Sequence, residues 1–263
     1  MEPAFAQFPM ESEPERFLLE LLFASIRPGA ALAALPALGG QLIPVRVRIG
    51  LAGAFGYLLL GTPHPPAVPP ELLALAGLAA IAGEILIGAV AALALHAAFA
   101  AALIAGDWLA QSMGLGFATL VDPGAPPTPV LSALFALLIW SIFLGSGGHL
   151  LFLQLIAESY RAMPNAAALF EPERLWAIAG WGGFAFASGL IAALPLGATL
   201  LLVNLGLAVA ARSAPQLNLF SVGFPLMLLI GLAALPVGLP ALSDSLSGAL
   251  AAMQAKAAEV LLG

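Results

Sequence analysis

Between Arg174 and Asp244 the chain runs for 69 residues with one formal charge, Arg212, which lies in a short polar island from Ala211 to Pro225. The flanks, Leu175 to Ala211 and Ser213 to Ser243, each exceed the roughly 20 apolar residues that cross a hydrocarbon core about 30 Å thick. A water-soluble domain of this size cannot hide so much apolar sequence. Most of the chain therefore belongs in a membrane or inside a membrane complex. Composition agrees, since charged residues make up 8% and hydrophobic residues 62%, where soluble domains carry about 25% charge.

Only helices and closed barrels satisfy their backbone in lipid. A barrel needs period-2 alternation, and the apolar runs here are unbroken and rich in Ala and Leu. The fold class expected is all-α: a single helical membrane domain over residues 1–263, with an acidic segment at 1–15 and an amphipathic helix at 243–263. The absence of cysteine excludes a disulfide framework and thiolate metal sites. Glu2, Glu11, Glu13 and Glu15 precede the first basic residue, Arg16. The positive n-region of a cleaved signal is missing, so the first hydrophobic segment is expected to be retained. Net charge is −6, and no basic stripe supports nucleic-acid binding.

Apolar stretches between breakers give six to eight hydrophobic helices packed as hairpins, at about 16–39, 43–60, 72–106, 130–157, 174–195, 196–212 and 217–240, with the tail from about 243. Leu72 to Gly106 and Leu175 to Ala211 each read as one long helix or a tight hairpin, and Pro195 favours a break in the second. Pro36, Pro44, Pro195, Pro225, Pro236 and Pro240 lie in or beside apolar runs, and each removes a backbone donor. Such prolines fit a chain packed into a larger assembly, or ordinary kinked spanning helices. The connector Gly61 to Pro70 reads as polyproline II. Arg46 and Arg48 favour a cytoplasmic first loop, yet alternation from there sends Arg161 and Arg174 outside, against the positive-inside rule.

Ionisable groups inside apolar helices need a partner or a role, because each costs about 2.5 to 3.5 kcal/mol or more at the bilayer centre. Glu84, His96 and Asp107 qualify. On one helix His96 and Asp107 lie near one face but about 16 Å apart along the axis, too far for direct proton relay. A secondary transporter or permease of the cytoplasmic membrane using these three groups is the alternative reading. Interhelical hydrogen bonding is the plainer one. No H-E-x-x-H, G-x-S-x-G or Walker lysine occurs. The run from Gly145 to His149 lacks the Lys-Ser/Thr of a phosphate loop and reads as a helix interruption. His64, His96 and His149 are too scattered to suggest a metal site.

The segment Met113-Gly114-Leu115-Gly116-Phe117-Ala118-Thr119-Leu120-Val121-Asp122-Pro123 joins backbone freedom to deformable apolar bulk. A seal or gate requires that combination; a loop packed on neighbouring helices would account for the same residues. In the tail, Leu242, Leu246, Leu250, Met253, Ala257 and Val260 recur at spacings of three and four, with Asp244, Lys256 and Glu259 off the stripe.

Three blocks resemble the FliR/SctT family of type III export-apparatus proteins: Ile43 to Leu51, Gly114 to Pro123, and Arg212 to Pro225. Gly-Leu-Gly-Phe-Ala-Thr-Leu-Val-Asp-Pro and Ala-Pro-Gln-Leu-Asn-Leu-Phe-Ser-Val-Gly-Phe-Pro-Leu are similar to the flagellar branch. Departures are Gly124 to Pro127 after Asp122-Pro123, Gly147 where Asn often stands, and Met227 where Lys is frequent. The resemblance implies a non-enzymatic core subunit without cofactor or metal. It would assemble with FliP and FliQ into the flagellar export gate of the cytoplasmic membrane and basal body, with FlhB and FlhA nearby, unfolded flagellar proteins as cargo and lipid around it. It implies that Met113, Gly114, Leu115, Gly116, Phe117, Ala118, Thr119, Asp122 and Pro123 form a plug. Pro44, Arg46, Arg48, Arg212, Pro215, Gln216, Asn218, Gly223, Phe224 and Pro225 would then form the assembly motifs. An assembly raised partly out of the bilayer would explain the failed topology bookkeeping.

Overall fold

The computed structural model describes residues 14–36, 44–62, 65–72, 74–115, 130–213 and 223–263. Seven α-helices and one short 3-10 helix make up the described residues, with no strand among them. The helices are α1 (Pro14–Ala34), α2 (Val45–Leu60), α3 (Leu75–Ser112), α4 (Val130–Gly145), α5 (Gly148–Ala162), α6 (Pro172–Ser213) and α7 (Phe224–Leu262), with the 3-10 helix Ala166–Phe170 before α6. By length and composition α1, α3, α6 and α7 can each cross a membrane, and α4 with α5 makes a fifth, broken candidate.

Several expected boundaries are corrected. Residues 174–212 are one helix, since α6 runs through Pro195 without a break. Residues 217–240 and the tail are also one helix, since α7 runs through Pro236 and Pro240. The reason is the cost of the alternative. A proline forfeits one backbone donor, whereas ending a helix strands up to four N–H or four C=O groups, and an apolar surrounding offers them no water. The ambiguous 72–106 segment is one helix too, carried on to Ser112. Residues 130–157 are two helices, parted at Ser146 and Gly147, where Gly147 takes φ +72° within the glycine run that marks the interruption.

The chain divides into two compact units, one of Met1–His96, Gly148–Trp181 and Ala252–Gly263, the other of Ala97–Gly147 and Gly182–Ala251. In the first, α1 packs against α2 and α3 through missing side chains. A Cβ on Gly56 would lie 3.0 Å from the Ser25 amide nitrogen, and one on Gly88 would collide with the Arg27 carbonyl. Apolar burial gives helices little reason to associate in lipid, so close backbone approach at small residues supplies the contact. The second unit uses the same device, since a Cβ on Gly106 would lie 2.7 Å from Ser132 Cα. It adds a knot of edge-to-face rings from Phe99, Trp140 and Phe143, with centroids 4.7 to 5.9 Å apart.

The amphipathic stripe of the tail is buried throughout: Leu242, Leu246, Leu250, Met253, Ala257 and Val260 are all 3% exposed or less. By contrast only 28% of the most apolar window of α6, and 22% of that of α7, is buried. Leu201, Leu202, Leu205 and Val209 on α6 and Leu229, Leu232 and Val237 on α7 are open. Gly88→Ala should lower stability by about 1–3 kcal/mol through overpacking. Gly53→Ala on α2, where an added Cβ meets nothing within 4 Å, should be neutral or stabilising by up to about 1 kcal/mol. Thermal unfolding of the detergent-solubilised chain separates the two signs.

Candidate functional site

Two places in the fold concentrate polar or conformationally special residues. The first lies on α1, α3 and α5. Arg27 is fully buried and Glu84 is 4% exposed. Arg27 donates through Nε to Glu84 Oε2 at 2.8 Å and through Nη2 to Glu84 Oε1 at 2.9 Å. The fork matches a carboxylate, so both oxygens are used. Nη1 donates to Ser159 Oγ at 2.8 Å and Nη2 also to the Met163 carbonyl at 3.0 Å. The Ser159 hydroxyl in turn donates to the Ile156 carbonyl at 2.7 Å. The guanidinium carbon lies 3.9 Å from the centroid of the Tyr160 ring.

Tyr160 has a second task that follows from Pro28, which lies inside α1. Proline at 28 leaves the Ala24 carbonyl without its helical donor. The Tyr160 hydroxyl donates to that carbonyl at 3.0 Å. Each buried polar group in the cluster is thereby paired, as low dielectric demands.

Of the three ionisable groups singled out on α3, Glu84 is committed to Arg27. His96 donates through Nε2 to the Ala34 carbonyl, one of the last-turn acceptors that α1 cannot fill itself. Asp107 is exposed on the part of α3 that belongs to the other unit. Two of the three therefore have interhelical hydrogen-bonding roles. Arg27 is the residue that sequence reading missed. A signal was present: Arg27 is the sole charge between Glu20 and Arg46, and Glu84 the sole charge between Glu71 and Asp107. Lone opposite charges on two apolar helices have strong reason to meet.

The second place is the end of α3. Met113 is fully buried and lies in a notch left by Gly231 of α7, where an added Cβ would fall 2.8 Å from its sulfur. Gly114 turns the chain out of the helix at φ 81°, and its N–H donates to the Gln111 carbonyl at 3.0 Å. A left-handed residue just past a helix is the usual glycine stop. From α6, Asn204 Nδ2 donates to the Ser112 carbonyl at 3.3 Å. At the root of the expected plug Ser112 is thus tied to α6 and Met113 seated on α7. Gly116, Phe117, Ala118, Thr119, Asp122 and Pro123 lie outside the described residues.

Those expected assembly residues that are described fall at helix ends. Pro44 is the N-cap of α2, at φ −56° and ψ 140°, with Arg46 exposed and Arg48 half-buried in the first turn. Arg212 is exposed in the last turn of α6, where a cation complements the helix dipole. Pro215, Gln216 and Asn218 lie outside the described residues. Gly223 precedes α7, and Phe224 and Pro225 open it, where a proline loses nothing because the first N–H groups have no helical partner.

The sequence matches the family described as bacterial export proteins, family 1, over residues 18–253. It is 37% identical over 218 residues to flagellar biosynthetic protein FliR of Pectobacterium carotovorum subsp. carotovorum, covering 82% of each chain. It is 33% identical over 216 residues to FliR of Escherichia coli (strain K12), again covering 82% of each. With FliR of Aquifex aeolicus (strain VF5) identity is 34% over 240 residues, 89% of this chain and 90% of the relative. Tyr160→Phe should leave the Ala24 carbonyl unpaired and cost about 1–3 kcal/mol. Thermal unfolding in detergent, compared with Phe152→Tyr at a buried site outside the cluster, measures it.

Proposed function

The chain belongs to the bacterial export proteins of family 1 and is a membrane-embedded component of the flagellar export apparatus, not an enzyme, and from that premise we propose that it is a core subunit of the export gate. In this reading it assembles with FliP and FliQ in the cytoplasmic membrane, near FlhB and FlhA, and helps form and close the channel taken by unfolded flagellar subunits.

The observation that carries the hetero-complex is the length of α6 set against its charge. α6 has 42 residues, about 63 Å at 1.5 Å per residue. Its uncharged part, between Arg174 and Arg212, is about 55 Å long. Fitting that length inside a 30 Å hydrocarbon core would need a tilt of about 57°, beyond the 0–40° seen for spanning helices. Water is no solvent for the excess. Other protein is, and the open apolar faces of α6 and α7 offer the surface for it.

Closure belongs in this reading to the segment from Met113 to Val121. Its support is the root, a buried Met113 and a glycine stop at Gly114, followed in the sequence by Leu115, Gly116 and Phe117. Arg212 to Pro225 serves as a junction for neighbouring subunits.

A tagged chain solubilised in mild detergent is expected to bring FliP and FliQ with it in fixed proportion, and its deletion to abolish flagella. Purification as a lone chain, with intact flagella in the deletion strain, defeats the proposal. Phe117→Ala and Gly116→Leu are expected to raise ion leakage through the assembled complex or to lower export several-fold. Unchanged leakage and export in both would make the loop a packing element.

A further inference from the structure

The Ala and Leu faces of the first unit are poor at choosing one fit. Around Glu84 the sequence of α3 is Leu75-Ala-Gly-Leu-Ala-Ala-Ile-Ala-Gly-Glu84, and α1 ends in Ala30, Ala31, Leu32, Ala33 and Ala34. Sliding such a face by three or four residues mostly exchanges small for small; Gly88 marks one close approach to α1, but the seat of the segment after Ser159 on α3 has only small residues such as Gly83 and Ala166 to fix it. A directed polar contact discriminates far more sharply, because a slip strands charge in an apolar surrounding.

Arg27 makes four hydrogen bonds, to Glu84 on α3, to Ser159 on α5 and to Met163 just past α5. Glu84 spends both oxygens on it. The Tyr160 hydroxyl is taken by the Ala24 carbonyl, and other buried residues one or two turns away on the same helices, such as Phe23, Ile87, Ala91 and Ile156, are apolar and offer no substitute. Against well-packed apolar side chains of like volume, a buried ion pair brings no dependable gain in stability; specificity is the attested reason to keep one.

We propose that the Arg27–Glu84 pair is a positioning device that fixes where the segment from Ser159 to Ala166 seats on α3, without adding stability over an apolar pair. This stands apart from the gate reading and from the plug. It predicts a separation between fold and register that ordinary core residues do not show.

The chain has no cysteine, so an introduced pair reports without interference. A Cβ on Gly83 lies 3.1 Å from Ala166 Cβ, and one on Gly29 lies 3.4 Å from Ala52 Cβ. Gly83→Cys with Ala166→Cys therefore reads the seat, and Gly29→Cys with Ala52→Cys reads the α1–α2 contact as a control. Both pairs are oxidised in membranes, in the full chain with native Arg27 and Glu84, with Arg27→Met/Glu84→Leu, with Arg27→Met alone and with Arg27→Lys.

Both pairs are expected to close in the native background, Gly83/Ala166 after its Cβ atoms part by a few tenths of an ångström to the roughly 3.5–4.5 Å that a disulfide spans. In the apolar double variant the chain should reach the native level and melt near the native temperature. Its Gly83/Ala166 closure should nevertheless slow about tenfold, since small misplacements cost effective concentration steeply, while the control is unchanged. Arg27→Met alone should deplete the chain by leaving Glu84 buried without its partner, and Arg27→Lys, which keeps charge but not the fork, should slow closure to an intermediate rate. Unchanged Gly83/Ala166 closure in a folded double variant overturns the proposal, because packing then suffices. A double variant as depleted as Arg27→Met also overturns it, because the pair is then a source of stability. A Gly83/Ala166 pair that fails to close in the native background contradicts the seat itself.

Discussion

In an apolar surrounding a backbone N–H or C=O without a partner has no water to turn to, and most of this architecture follows from that. Helices become long because each end strands polar groups, and they persist through prolines because one lost donor is the smaller defect. Pro195, Pro236 and Pro240 sit inside unbroken helices. At Pro28 the same constraint is met another way, with the Tyr160 hydroxyl replacing the missing donor on Ala24. His96 does likewise for the open carbonyl of Ala34, and Arg174 for that of Val260. Several polar side chains in the first unit serve backbone that the helices cannot satisfy alone.

Satisfying the backbone does not bring helices together. Where solvent is itself apolar, contact depends on how closely backbones approach and on the few directed bonds between them. Glycines at 56, 88 and 106 provide the approach, and the Arg27 cluster provides the bonds. Neither needs a continuous hydrophobic face buried within one chain. Much of α6 and α7 can accordingly remain open within the chain.

The existence of the helices was legible because an apolar run of sufficient length has no other stable form in lipid. The glycine interruption before His149 and the buried tail stripe were legible for similarly local reasons, a residue that leaves helical geometry and a period of 3.6. Helix continuity was not. Proline signals a break in water, where freed groups are solvated, and that inference fails where they are not. Arg27 escaped notice because its meaning lies in a partner 57 positions away, and a single sequence shows two lone charges without showing that they meet. The buried setting of Met113 needed the Gly231 notch, which only the packing of α7 creates.

The expected boundary near residue 240 shows what such a misreading can still contain. Nothing ends there, since α7 continues from Phe224 to Leu262. What changes is the outward face. A buried stripe runs the whole length, through Met227 and Leu235 before Pro240 and Leu242 to Val260 after it, while outward the first half presents Leu229 at 64%, Leu232 at 54% and Val237 at 82% exposure. Charge returns at the same point, with Asp244, Lys256 and Glu259 on the exposed side, and Gln254 donates to the Gly148 carbonyl. One side of α7 thus packs within the chain along its whole length, and an amphipathic pattern appears in the sequence only where the other side carries charge. The onset of periodicity in α7 marks a change in what its outward face meets. Outward leucine and valine before Pro240 suit an apolar surrounding, and the charges after it suit water.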